Sequence, residues 1–247
     1  MLGVRVGTGT LTELTAAAEE AVARRAHPFV FACANPHSLV VAHSDAEFRS
    51  ALERADAVVA DGVGCQWGAR LLGVSVGPRI TGFDFFLATM RMLDERRGRA
   101  FFFGSSERVL AQLMLRARRD YPHVVLEALS PPFRPWSAPE NAAMVSRING
   151  FAPDVLWVGM TAPKQEKWVA ANVQHLAAPV IGSIGAVFDY YAGATQRAPD
   201  WVCQAGLEWL YRLPREPRRL WRRTVVSAPR FLWLILRQRL RSRVGAA

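Results

Sequence analysis

The sequence predicts an α/β protein, a mostly parallel sheet with helices on both faces, followed by a basic helical appendage at the C-terminus. Three observations predict it. Apolar runs of four to six residues recur along the chain without polar alternation. Stretches with helical spacing lie between them. The formal net charge of +10 lies wholly in the last quarter, where residues 212–243 hold eleven arginines and one acid, Glu216. Strands buried on both faces read as continuous apolar runs, and strand–helix alternation builds parallel sheets covered on both sides.

In chain order, the first strand is read at residues 29–33 (FVFAC) and the second at 56–60 (DAVVA). The third lies at 100–103 (AFFF), and a weaker fourth at 124–126 (VVL). Residues 154–158 (DVLWV) and 179–182 (PVIG) complete the set. Three helix starts are legible. Ser44 and Glu47 have the spacing of a capping box, with Ser44 at the N-cap. Ser105 and Ser106 open a segment with Val109, Leu110, Leu113 and Ala117 on one face, and Ser137 precedes a helix with Pro139 near its start. Residues 1–211 therefore form the core, and residues 212–247 the appendage.

Composition excludes several classes. A spanning helix needs roughly 20 apolar residues, and the longest runs here are six. The N-terminus lacks the extended apolar stretch of a signal peptide. Three widely spaced cysteines, Cys33, Cys65 and Cys203, argue against a disulfide framework or zinc cluster and for a reducing, cytoplasmic setting. In the appendage, arginines interleave with Leu220, Trp221 and the run 231–236 (FLWLIL). Apolar groups for the acyl boundary and guanidinium groups for phosphates suit a helix lying on a membrane surface. The competing reading is a helix that packs back on the body. Nucleic acid is disfavoured as a partner, because no zinc-finger spacing or RNA-binding aromatic signature is present.

In parallel sheets ligands gather beyond the carboxyl ends of the strands. Those ends carry Asn35-Pro36-His37, Asp61-Gly62-Val63-Gly64, Gly104-Ser105, residues 159–166 (GMTAPKQE) and residues 182–189 (GSIGAVFD). Asp61, past a buried strand and before glycine, suits a general base or an N-cap equally. Gln165 and Glu166 begin a helix after a proline, where first-turn polarity is ordinary and the dipole favours Glu. No GxGxxG, Walker or GxSxG motif occurs, and His37, His43, His123 and His175 lack ligand spacing. No Asp-x-Asp clamp for a metal–nucleotide complex is present, which points to a site that needs no metal or other cofactor.

Together with residues 79–84 (RITGFD), 163–168 (PKQEKW), 185–189 (GAVFD), 197–199 (RAP), 206–213 (GLEWLYRL) and 216–219 (EPRR), these blocks resemble the WecG/TagA/CpsF glycosyltransferases, glycosyltransferase family 26. The resemblance runs in order from about residue 29 to about 225. It implies a Rossmann-like fold and an inverting, metal-independent transfer of a sugar from a UDP-sugar to a polyprenyl-diphosphate-linked acceptor. The sugar would be of the N-acetylmannosamine type, its uronic acid, or glucose. The setting would be the cytoplasmic face of the membrane, in synthesis of cell-surface polysaccharide or teichoic acid. By position Asp61 matches the base, and Gln165 the residue that orients substrate. Arg212, Arg219 and Arg222 match arginines that neutralise the departing diphosphate from a closing appendage.

The implied substrate-binding set is Cys33, Asn35, Gly62, Gly64, Thr81, Asp84, Phe103, Gly104, Lys164, Gly185 and Asp189. Phe103 and Gly104 fall on the uridine side, and Asp189 near the nucleotide. Cys33 stands where the family often has threonine, so a hydroxyl contact there is replaced by a weak sulfur partner. Thr161-Ala162 stands where many relatives have glycine. The second half of the appendage, with Arg237, Arg239 and residues 231–236, is expected to face the bilayer. Alternatives are a non-catalytic nucleotide-binding or a nucleic-acid-binding α/β protein with a basic tail. The oligomeric state is open, a homo-oligomer included.

Overall fold

A computed structural model describes residues 1–196, 198–199, 202, 211 and 226–244. Its centre is a six-stranded, all-parallel sheet in the order β2-β1-β6-β5-β3-β4. The strands are β1 (Phe29–Ala34), β2 (Ala57–Ala60), β3 (Arg99–Gly104), β4 (Val125–Leu129), β5 (Val155–Gly159) and β6 (Val180–Ser183). The predicted α/β class and all six strands are present.

The helices are α1 (Leu11–Arg24), α2 (Pro36–Ser44), α3 (Ala46–Glu53), α4 (Val63–Leu72), α5 (Gly82–Arg96), α6 (Glu107–Asp120), α7 (Ala138–Phe151), α8 (Lys164–Asn172), α9 (Val187–Tyr191) and α10 (Ser227–Val244). They divide between the two faces as the alternation of side chains along a strand requires. Phe102 and Trp157 point to the face covered by α1, α5, α6 and α9. Phe101, Phe103, Leu156 and Val158 point to the face covered by α7 and α8. Ala32 and Val58 meet α2, α3, α4 and α10.

Two sequence expectations shift. The fourth strand begins at Val125 rather than Val124 and continues to Leu129. It lies at the sheet edge, where Glu127 can face solvent and pair with Arg147 at 3.0 Å, so its apolar run is broken. The cap of α3 is Asp45, not Ser44. The Ser44 hydroxyl donates back to the Val41 carbonyl inside α2, while the Asp45 carboxylate accepts from the Phe48 N–H at 3.0 Å. Glu47 is drawn instead to Lys167 of α8, which also meets Asp45, both at 2.8 Å.

The end of the chain departs most from expectation. α10 packs on α2 and α4 and buries Phe231, Leu234 and Ile235 among Leu39, Phe48 and Leu52. Gln238 accepts from the Leu2 N–H at 3.0 Å, and Ser227 meets His37 at 2.8 Å. Half of the run 231–236 therefore belongs to the core and not to a bilayer. The opposite side of the helix carries Leu232, Trp233, Leu236 and Leu240, all exposed. Arg237 lies over the Trp233 ring on that side, 5.2 Å from its centroid. Among the described residues no helix is long and apolar enough to cross a membrane.

Candidate active site

The candidate site lies at the carboxyl ends of β2, β1, β6 and β5, where ligands of parallel sheets gather. Asp61 leaves β2 with its N–H donating to the Ala34 carbonyl at 2.8 Å, an extension of the parallel ladder that fixes its backbone. Gly62 (φ +102), not Asp61, is the N-cap of α4. The capping role that the sequence allowed Asp61 is thus taken by its neighbour. A Cβ at Gly62 would meet nothing within 4 Å, so glycine is required there by conformation alone. A Cβ at Gly64 would meet Pro36 Cγ at 2.6 Å, so Gly64 serves the close approach of α4 to α2.

Cys33 lies on β1, at the end of the strand next to Asn35. Burial pushes its thiol well above the usual range, and the charges of Asp61, Glu166 and Asp84 push it further. The Gly82 N–H donates to its sulfur and partly offsets this. The three carboxyl groups come from the loop after β2 and from the first turns of α5 and α8. Cys65 is pushed up to about 12, by burial first and by Asp61 second.

Asn35 and Thr81 have structural tasks at this rim. The Asn35 side chain accepts from the Ser38 N–H at 3.0 Å and caps α2. Thr81 caps α5 by accepting from the Asp84 N–H, and Asp84 Oδ2 accepts from the Thr81 N–H at 2.9 Å and hydroxyl at 2.8 Å. The reciprocal pair pins the start of α5 beside the site.

The β5–α8 loop, with a cis Ala162–Pro163 peptide, brings in Gln165 and Glu166. Both are 5% exposed. Gln165 Oε1 accepts from the Met160 N–H at 3.2 Å and from the Gly185 N–H at 3.0 Å. Its Nε2 donates to Glu166 Oε1 at 2.9 Å. One side chain thus ties the loop after β5 to the turn after β6. Gly185 (φ +56) needs the left-handed conformation to make that turn. Lys164 is exposed at the rim, its ammonium 3.9 Å from the Trp136 ring centroid.

The family model described as glycosyl transferase WecG/TagA/CpsF matches residues 1–245. The chain belongs to the WecG/TagA/CpsF family. Its relatives include an N-acetylglucosaminyldiphosphoundecaprenol N-acetyl-beta-D-mannosaminyltransferase of Bacillus spizizenii, 28% identical over 204 residues, covering 83% of this chain and 77% of the relative. Proteins of the same description from Bacillus subtilis and Staphylococcus aureus are each 26% identical, over 210 and 202 residues. The former alignment covers 85% of this chain and 79% of the relative, the latter 82% and 77%.

Set against the WecG/TagA/CpsF motifs, the site residues separate by what surrounds them. Asp61, Cys33, Asp84, Gln165 and Gly185 come together at the strand ends. Asp189 lies in the first turn of α9, half-buried, and its backbone carbonyl accepts from the Thr195 N–H at 3.1 Å. Phe103 departs from the expected nucleotide contact. Its ring is fully buried against Trp168, 4.4 Å between centroids, and belongs to the core beneath the site. Gly104 (φ +128) permits β3 to approach β5, since a Cβ there would sit 2.6 Å from the Gly159 carbonyl oxygen. Arg212, Arg219 and Arg222, and the residues around Gly206, lie outside the described residues.

Sequence reasoning gave Glu166 no role beyond first-turn polarity. Its sequence position inside the PKQE block was visible. Its burial was not, because it depends on α8 packing against α3 and β6.

Proposed function

We propose that this protein is an inverting transferase that moves N-acetylmannosamine from UDP-N-acetylmannosamine onto a polyprenyl-diphosphate-linked N-acetylglucosamine. Asp61 is the general base. It takes the proton of the acceptor hydroxyl as that oxygen attacks the anomeric carbon, and UDP leaves from the opposite face. The observation that carries this reading is the position of Asp61, past the end of β2, outside the α4 cap and within electrostatic reach of Cys33. The names of the relatives support the sugar and the acceptor. Arg212, Arg219 and Arg222 are proposed to stabilise the departing diphosphate in place of a metal ion.

The test is release of UDP, followed across a panel of UDP-sugars with a soluble polyprenyl-diphosphate N-acetylglucosamine analogue. UDP-N-acetylmannosamine should be turned over at least tenfold faster than UDP-glucose or UDP-N-acetylglucosamine, since a site built to hydrogen-bond one arrangement of hydroxyls rejects others strongly. Release that is the same for every sugar, or independent of the acceptor, defeats the proposal.

We propose further that the outer face of α10 rests on the membrane surface. Leu232, Trp233, Leu236 and Leu240 supply exposed apolar area, and Arg237, Arg239 and Arg241 flank it. Each arginine near an anionic surface contributes about 1 kcal/mol. Arg237→Ala with Arg239→Ala should therefore weaken sedimentation with phosphatidylglycerol vesicles about tenfold or more, while turnover of the soluble acceptor stays within twofold. Equal binding by parent and variant would remove the face from consideration.

A further inference from the structure

Glu166 is the third residue of α8, and its Oε2 is buried with no hydrogen-bond partner among the described residues. An unmet buried carboxyl oxygen is a cost to the fold. Packing does not account for it, because Trp168 and Val169 make the apolar contacts of that helix. Nor, among the described residues, does an ion pair. Lys167 is turned to Asp45 and Glu47 of α3, and Lys164 lies over Trp136. The titratable group facing Glu166 from β1 is the neutral Cys33 thiol, which also feels Asp61 after β2 and Asp84 of α5.

The bond from Gln165 to the other carboxyl oxygen, Oε1, accounts for the placement of the group. The Met160 and Gly185 N–H groups both donate to Gln165 Oε1, so the NH2 end of the amide must face Glu166. The terminal torsion of glutamine is broad and roughly two-fold, and this set of partners selects one orientation. With the oxygen taken twice and one Nε2–H given to Glu166, the second Nε2–H is the one donor left for a ligand. Gln165 therefore offers substrate a donor and not an acceptor.

We propose that Glu166 is a positioning residue of the transfer site, holding the Gln165 amide so that its second N–H is presented to an oxygen of the bound donor. This rests on the transferase reading given above. An ionised carboxylate accepts more strongly than a carboxylic acid. Burial raises Glu166 from 4.5 to about 7, while the bond from Gln165 lowers it. The change between strong and weak acceptor thus falls close to neutral pH.

Stability moves the opposite way. Between about 4.5 and about 7 an unfolded Glu166 is ionised while the folded one keeps its proton. Stability therefore falls as pH rises through that window and is level above it.

Glu166→Gln keeps an acceptor oxygen for Gln165 and removes the charge. At about pH 8 it should lower kcat about tenfold, the difference between a charge-assisted and a neutral hydrogen bond. The KM for the acceptor should be unchanged. The acidic limb of the parent pH–rate profile, with a midpoint near 7, should vanish. The melting temperature of the variant should exceed that of the parent at about pH 8, and the difference should vanish below about pH 4.5. Turnover and pH profile equal to the parent's would overturn the proposal.

A second measurement needs neither activity nor the variant. The Gln165 side-chain amide resonances of the parent should titrate with a midpoint near 7, and amide signals that stay fixed from about pH 5.5 to about 8.5 would also overturn it. If the parent releases no UDP from any donor, the transferase reading fails by itself, and the amide titration still decides whether Glu166 governs Gln165.

Discussion

Asp61→Asn is expected to reduce transfer by about 10²–10⁴-fold, the usual contribution of a general base, with the fold intact. Asparagine matches aspartate in size. The backbone bond from the residue 61 N–H to the Ala34 carbonyl does not involve the side chain, and α4 is capped by Gly62. Stability should therefore change little, and UDP should still bind in calorimetry. A second consequence separates loss of charge from loss of shape. The charge of Asp61 is the largest electrostatic contribution, after burial, to the raised pKa of both Cys33 and Cys65. Removing it should increase the thiolate fraction of Cys33 and speed its labelling by a small alkylating reagent. Transfer by Asp61→Asn within about threefold of the parent rate would remove Asp61 as the base.

Phe231→Ala is expected to destabilise the protein by about 3–5 kcal/mol, the range for emptying a buried aromatic site. Phe231 is 2% exposed and lies against Gly68 of α4, where an added Cβ would come 2.7 Å from its Cζ. α10 and α4 are thus in close approach at this point. Gly68→Ala should displace the ring and lower stability as well, and the two substitutions together should fall short of the sum of their effects, because both disturb one contact. Urea denaturation measures this. If Phe231→Ala unfolds at the parent midpoint, α10 is not part of the cooperative core.

The sheet was legible because five of its strands are buried on both faces and their side chains need no alternation. β4 was read one residue early because an edge strand carries Glu127 in the middle of its run. The start of α3 was misplaced for a local reason. Ser44 and Asp45 are both good caps, and only the continuation of α2 through Ser44 decides between them. The direction of α10 was not legible at all. Six consecutive apolar residues cover every side of a helix, so residues 231–236 supply a core face and an exposed face at once. At the site, Asp61 and Gln165 were marked by their position after strands. The convergence of Asp61, Asp84 and Glu166 near Cys33 depends on the strand order, which places the ends of β1 and β6 side by side although about 150 residues separate them in the chain.

The bond of Gln165 to both Met160 and Gly185 bears on the exchange of loops among relatives. Met160 and Gly185 belong to different loops, Gln165 and Gly185 being 20 residues apart in sequence, yet one amide oxygen sets the spacing between them. A graft of the β5–α8 loop alone would bring a glutamine adjusted to a different turn. Chimeras that alter donor choice should therefore carry residues 160–166 and 183–186 as one inherited cassette, so that the seam between donor and recipient falls in the body of α8 and not across the site.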